Sequence, residues 1–204
     1  MGVVLRVLFG NGGNGSVLSH NAMKYIAANL VHLGYRFILD KTDIAYMSEF
    51  LKEFQEETDR GAALVGAALL DQQLLKILKS HFLDKKESVD LLEGGSAPLG
   101  TFSSRIKACY CLGLVSELEH KELQLIRKIR NEFAHQTHGL EFQTEKVASL
   151  CKNLFDRMPD AAERGIKRSV RHKFIDAVNF TSLALFYRPS YVEQFKAQQR
   201  KWPY

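Results

Sequence analysis

From about Ala45 onward, apolar residues recur every third or fourth position, the repeat of helices with one buried face. Residues 62–83 carry the strongest run, with Leu64, Ala67, Ala68, Leu74, Leu75 and Leu78. That pattern predicts the most apolar helix, deep in the core. A polar helix over 47–58 precedes it, with Phe50, Leu51 and Phe54 as its apolar positions. Residues 84–100 read as a loop, charged first and then rich in glycine around Gly94, Gly95 and Pro98. Thr101 is placed to cap a helix running to about Leu112, with Phe102, Ile106 and Cys109 inward and Gly113 as its stop.

Ser116 and Glu119 fit a capping box, in which each side chain satisfies the other's backbone donor. They open a helix whose inner stripe is Leu118, Leu125, Ile126, Ile129 and Phe133. Further helices are predicted over 144–157 and 161–187, the latter broken by Pro189. The expected fold is all-α, a helical bundle of five to seven helices spanning 46–188. A basic tail, 189–204, follows it.

Residues 1–45 differ. A strand over 3–9, a helix over 17–33 and a second strand over 35–39 make a small β-α-β-like N-terminal extension. Its Gly-rich loop, Gly10-x-Gly12-x-x-Gly15, fits a dinucleotide fingerprint, with Asp40 available for a ribose hydroxyl. One such unit is too little for a dinucleotide fold, so a plain glycine-asparagine turn is preferred and no cofactor is expected.

The chain has 204 residues, 46% of them apolar, which suits one domain plus an extension. A net charge of +5 leans toward anionic partners, although many plain soluble proteins are as basic. Three cysteines, Cys109, Cys111 and Cys151, make neither a disulfide framework nor a zinc site. No metal is expected. No uninterrupted apolar run approaches the roughly 18 residues that cross a bilayer. A cytoplasmic protein with no membrane partner is expected.

The chemistry concentrates between Arg127 and His135. At roughly 100° per residue, Arg127, Asn131 and His135 form an i, i+4, i+8 ladder with Arg130 beside it. Guanidinium groups grip phosphate oxygens, and an imidazole accepts and donates protons near neutral pH. In a metal-independent ribonuclease, His135 would be the acid–base group and Asn131 would orient. Arg130 and Arg127 would stabilise phosphate charge. One histidine supplies half of an acid–base pair, and a two-fold dimer would supply the other. Basic residues at a helix C-terminus also simply complement its dipole. Arg105 and Lys107, from the preceding helix, could add phosphate- or nucleic-acid-binding charge, or be solvated residues flanking Ile106. Lys128 is expected to pair with Glu132. His120 reads as solvated, His138 as a loop residue that could assist His135, His172 as part of a wet basic run, and Tyr110 as a half-buried core residue or a phenol lent to the site.

Arg130-Asn131-x3-His135 resembles the Arg-x4–6-His signature of the HEPN superfamily. Several separated runs resemble the mannitol operon repressor (MltR) family over residues 48–157. They are Arg60-Gly61-Ala62-Ala63-Leu64, the stretch from Ala97 to Lys107, Leu112-Gly113-Leu114, and the stretch from Leu125 to His135. The resemblance implies an all-α transcriptional regulator, linked to repression of sugar-alcohol uptake. No helix-turn-helix pattern stands out, so a route through a protein partner or RNA fits as well as one through DNA. The expected working form is a homodimer making partner or nucleic-acid contacts. The alternative is a HEPN-type endoribonuclease or toxin, which leaves enzymatic activity open.

Overall fold

The computed structural model describes residues 50, 53–136, 138–156 and 168–203. The chain divides into two compact units, Met1–Glu56 and Glu57–Tyr204. In the first, residues 53–56 are helical and the rings of Phe50 and Phe54 stack at 5.5 Å. The β-α-β-like extension and its glycine loop lie outside the described residues, as do positions 47–49, 51 and 52 of the predicted 47–58 helix.

The second unit is a bundle of seven helices, with no strand among the described residues. They are α1 Asp59–His81, α2 Lys86–Leu92, α3 Phe102–Cys111, α4 Glu117–His135, α5 Glu145–Lys152, α6 Val170–Phe186 and α7 Arg188–Val192. A 3-10 turn, Glu193–Phe195, follows.

α1 is the central rod. Thr58 caps it by accepting from the Gly61 amide at 3.0 Å, and Asp59 at one end and Lys79 and His81 at the other complement its dipole. It packs on α6, α4, α3 and α7. By length and composition it could cross a bilayer, with a mean hydropathy of 1.3 over its most apolar window, half of which is buried. Ala67, Leu74 and Leu78 are buried as the periodicity predicts. Leu64 and Ala68 are exposed and Leu75 is half-buried. These three fall on a second stripe, i, i+4, i+11, displaced from the stripe through Ala63, Ala67, Leu70, Leu74 and Leu78 that meets the other helices.

The predicted loop 84–100 contains α2, a seven-residue helix that buries Leu92. Its polar sequence has no side-chain cap and too few apolar positions to show a helical repeat. α3 carries a Thr101–Ser104 capping box. It ends on a Schellman motif, with Leu114 N–H donating to Cys109 O at 2.8 Å and Gly113 N–H to Tyr110 O at 3.0 Å. That turn requires the positive φ of 69° at Gly113. α5 stops earlier than predicted, where the Asn153 amide donates to Ser149 O at 2.9 Å.

α6 starts on a Ser169–His172 capping box, so His172, exposed as expected of a wet face, also caps the helix. The long helix is broken just before Pro189, as expected, and Pro189 then opens α7. The chain then crosses the end of α1, held by Lys196–Asp84 at 2.6 Å and by the Ala197 amide on His81 O at 2.7 Å. Phe133, Phe142 and Phe174 knit α4, the following loop and α6, with ring centroids 5.0 and 4.9 Å apart.

Candidate functional site

α4 is fixed at both ends before any of its polar residues come into play. The Ser116 amide donates to Glu119 Oε2 at 2.7 Å, and the Glu119 amide donates to Ser116 Oγ at 3.2 Å. Arg188 of α7 grips the same glutamate at 2.7 Å and donates to Leu114 O at 2.8 Å. At the other end, Arg60 donates to Gln136 O, beyond the last turn. Asp59 accepts from the Phe142 amide at 2.9 Å and pairs with Arg171 Nε at 3.1 Å. The Asp59-Arg60 dipeptide therefore holds the loop that follows α4.

Glu122, Leu123, Ile126, Ile129 and Phe133 form the buried face of α4. Leu118, predicted to lie inward, is 47% exposed, and Leu125 is half-buried. On the opposite side run His120, Gln124, Arg127, Asn131 and His135, at spacings of four, three, four and four. Gln124 Oε1 accepts from Arg127 Nε at 3.1 Å, and Gln124 Nε2 lies 3.4 Å from His120 Nε2. With its oxygen on the arginine, the amide presents N–H to the imidazole, which sets His120 Nε2 as the acceptor. His120 also stacks on Tyr110 of α3, with centroids 4.1 Å apart and planes 13° apart.

The structure places the anticipated site residues as follows. Arg127, Arg130 and Asn131 are half-buried on α4, and His135 is exposed in its last turn. Arg130 Nη1 donates to Asn131 Oδ1 at 3.0 Å, so the Asn131 oxygen orients an arginine. Lys107 is exposed on α3, one turn before Tyr110.

Arg105 departs from the expectation that it adds phosphate-binding charge. Its side chain is 10% exposed and pairs with Asp71 of α1 at 2.9 Å. It also donates to Leu99 O at 3.0 Å and to Leu92 O at 3.1 Å, clamping the loop after α2. A guanidinium satisfied inside the fold by a carboxylate and two carbonyls is structural.

The acids of α4 are largely occupied. Glu117 pairs with Lys121 at 2.6 Å, and Glu119 with Arg188. Glu122 is buried and accepts from the Phe155 amide at 3.1 Å. Glu132 pairs with Lys146 of α5 at 2.7 Å, rather than with Lys128 as the helical spacing suggests. The half-exposed stripe, with Arg130 beside it, thus presents two arginines, two imidazoles and two amides, a basic surface able to hold an anion.

Sequence reasoning missed Gln124 and did not pair Tyr110 with His120. Positions 120, 124 and 127 are i, i+4 and i+7 on one helix, so the alignment was available. The ring stack across α3 and α4 was not.

The described residues thus define the all-helical class, a bundle with one polar, basic helix face. The class narrows on comparison. A family model described as MtlR, Mannitol repressor, matches residues 40–164, and the chain belongs to that family. The mannitol operon repressors of Escherichia coli K12 and of Escherichia coli O6:H1 (strain CFT073) are each 27% identical to it over 74 residues. Each match spans 36% of this chain and 38% of the relative's length. A solved structure titled "X-ray structure of the MtlR-HPr complex from Escherichia coli" overlaps 73% of this chain and 99% of its own. Its TM-score is 0.47 at 22% identity.

Proposed function

We propose that this protein is a repressor-type regulator of sugar-alcohol uptake. It works in the cytoplasm as a homodimer, through contacts made by the exposed face of α4. Family membership supports the regulatory role. The observation that carries the choice of surface is the pinned arginine: Arg127 is fixed by Gln124 on a half-exposed stripe that also bears Asn131 and the exposed His135. A surface arginine with a preset orientation loses less entropy on binding an anionic group than a free one. Lys107 extends the same surface from α3. Arg105 takes no part.

No observation favours the endoribonuclease alternative. The named relatives are repressors, and Asn131 engages Arg130. His135, Arg130 and Asn131 are read here as binding rather than catalytic residues.

The test is repression of a mannitol-operon reporter by the wild type and by Arg127→Ala/Asn131→Ala. Lost repression with unchanged thermal unfolding is expected. Full repression by the double variant would move the working surface elsewhere.

A further inference from the structure

The ring pair at the α3–α4 contact lies outside the buried core. Tyr110 and His120 lie outside the buried sets of their helices, and Tyr110 is 41% exposed. The pair is nonetheless well defined. Tyr110 sits in the last turn of α3, whose end is fixed by the Schellman motif at Gly113. His120 is tied at its edge to Gln124. The two planes are close to parallel, an arrangement to which a third flat ring can be added.

Two cations lie along the helices from this pair, both on the side away from the α3–α4 turn. Lys107 lies three residues before Tyr110 on the same face of α3. Arg127, joined to His120 through Gln124, lies about 10 Å further along α4 by helical rise. The carboxylates at this end of α4 are held by Lys121 and Arg188, so they do not oppose an approaching anion. A part-exposed aromatic pair with two cations along one side of it suits a ligand that alternates flat rings with phosphates. A duplex hides its bases, and a phosphorylated protein has no use for the plane.

We propose that Tyr110 and His120 form a stacking platform for an unpaired nucleobase, with Lys107 and Arg127 taking the adjoining phosphates. The ligand of the α4 face is then a single-stranded nucleic acid. This rests on the reading of that face as the working surface, and narrows its partner.

The experiment is fluorescence anisotropy of the full chain with a labelled oligouridylate, free and annealed to its complement, over a salt series. The single strand should bind more tightly than the duplex. Tyr110→Ala should weaken binding about tenfold and leave the salt slope unchanged, while Tyr110→Phe keeps wild-type affinity. Arg127→Ala should lower the slope by about 0.7. Duplex preference, or wild-type affinity in Tyr110→Ala, overturns the platform. If Arg127→Ala still weakens binding in that case, the face remains the working surface. Absence of binding to either probe at low salt overturns the nucleic-acid partner. The reporter assay then decides separately whether the face works through a protein.

Discussion

Arg105 and Asp71 meet at 2.9 Å between α3 and α1, with the arginine side chain only 10% exposed. Removing one partner of such a pair leaves an uncompensated charge inside the protein. Arg105→Ala should destabilise the fold by about 3 kcal/mol, read as a lower midpoint in urea unfolding. Arg105→Lys should recover little, because one ammonium cannot reproduce the fork that serves Asp71, Leu92 O and Leu99 O. Arg127→Ala, at a half-exposed position, should unfold within about 0.5 kcal/mol of the wild type. Equal effects for the two alanine variants would contradict the division between structural and surface arginines.

Glu119 serves two roles, closing the capping box with Ser116 and holding Arg188. Ser116→Ala should cost about 1 kcal/mol, as for other lost caps. Glu119→Ala should cost more, since it also strips a half-buried arginine of its carboxylate. A double-mutant cycle of Glu119→Ala with Arg188→Ala should show coupling above about 0.5 kcal/mol. Strict additivity would mean that the ion pair contributes nothing beyond the cap.

The three cysteines should separate by reactivity. Burial pushes Cys109 and Cys151 up to about 12, whereas Cys111 is exposed. At pH 8, a thiol reagent should label Cys111 rapidly and the other two only on unfolding. The same shifts set a stability trend. In the unfolded chain these thiols ionise near 9, in the folded chain near 12. Their contribution is thus complete below pH 9 and is lost as pH rises toward 12. Three fast-reacting thiols in the native protein would refute this assignment.

Asp59 and Arg60 hold the loop after α4 through the Phe142 amide and Gln136 O. Asp59→Ala should speed amide hydrogen exchange at Phe142 while leaving the middle of α4 protected. Unchanged exchange at Phe142 would show that the aromatic cluster alone anchors the loop.

How much of this was legible beforehand follows the range of each interaction. The caps at Thr101 and Ser116 and the stop at Gly113 involve residues within a few positions of one another, and the sequence displays them. So does the ladder Arg127, Asn131, His135, which is helical geometry alone. Arg105 and Lys107 look alike in sequence. Only Asp71, 34 positions away from Arg105 (105 minus 71), separates a clamp from a surface charge. Glu132 prefers Lys146 to its own-helix neighbour Lys128 for the same reason. Leu64 and Leu118 are apolar and outward because each lies off the stripe that its neighbours cover. Helix α2 escaped notice because a single buried leucine makes no periodicity.

The central claim is that the outward stripe of α4 is the surface through which the protein regulates. A photo-cross-linking amino acid at position 131, compared with one at exposed position 76 on α1, tests it in cells where a mannitol-operon reporter is repressed. The account predicts that 131 cross-links to a second chain or to nucleic acid, with 76 remaining uncoupled. Coupling at 76 with none at 131, in cells that still repress, would contradict it.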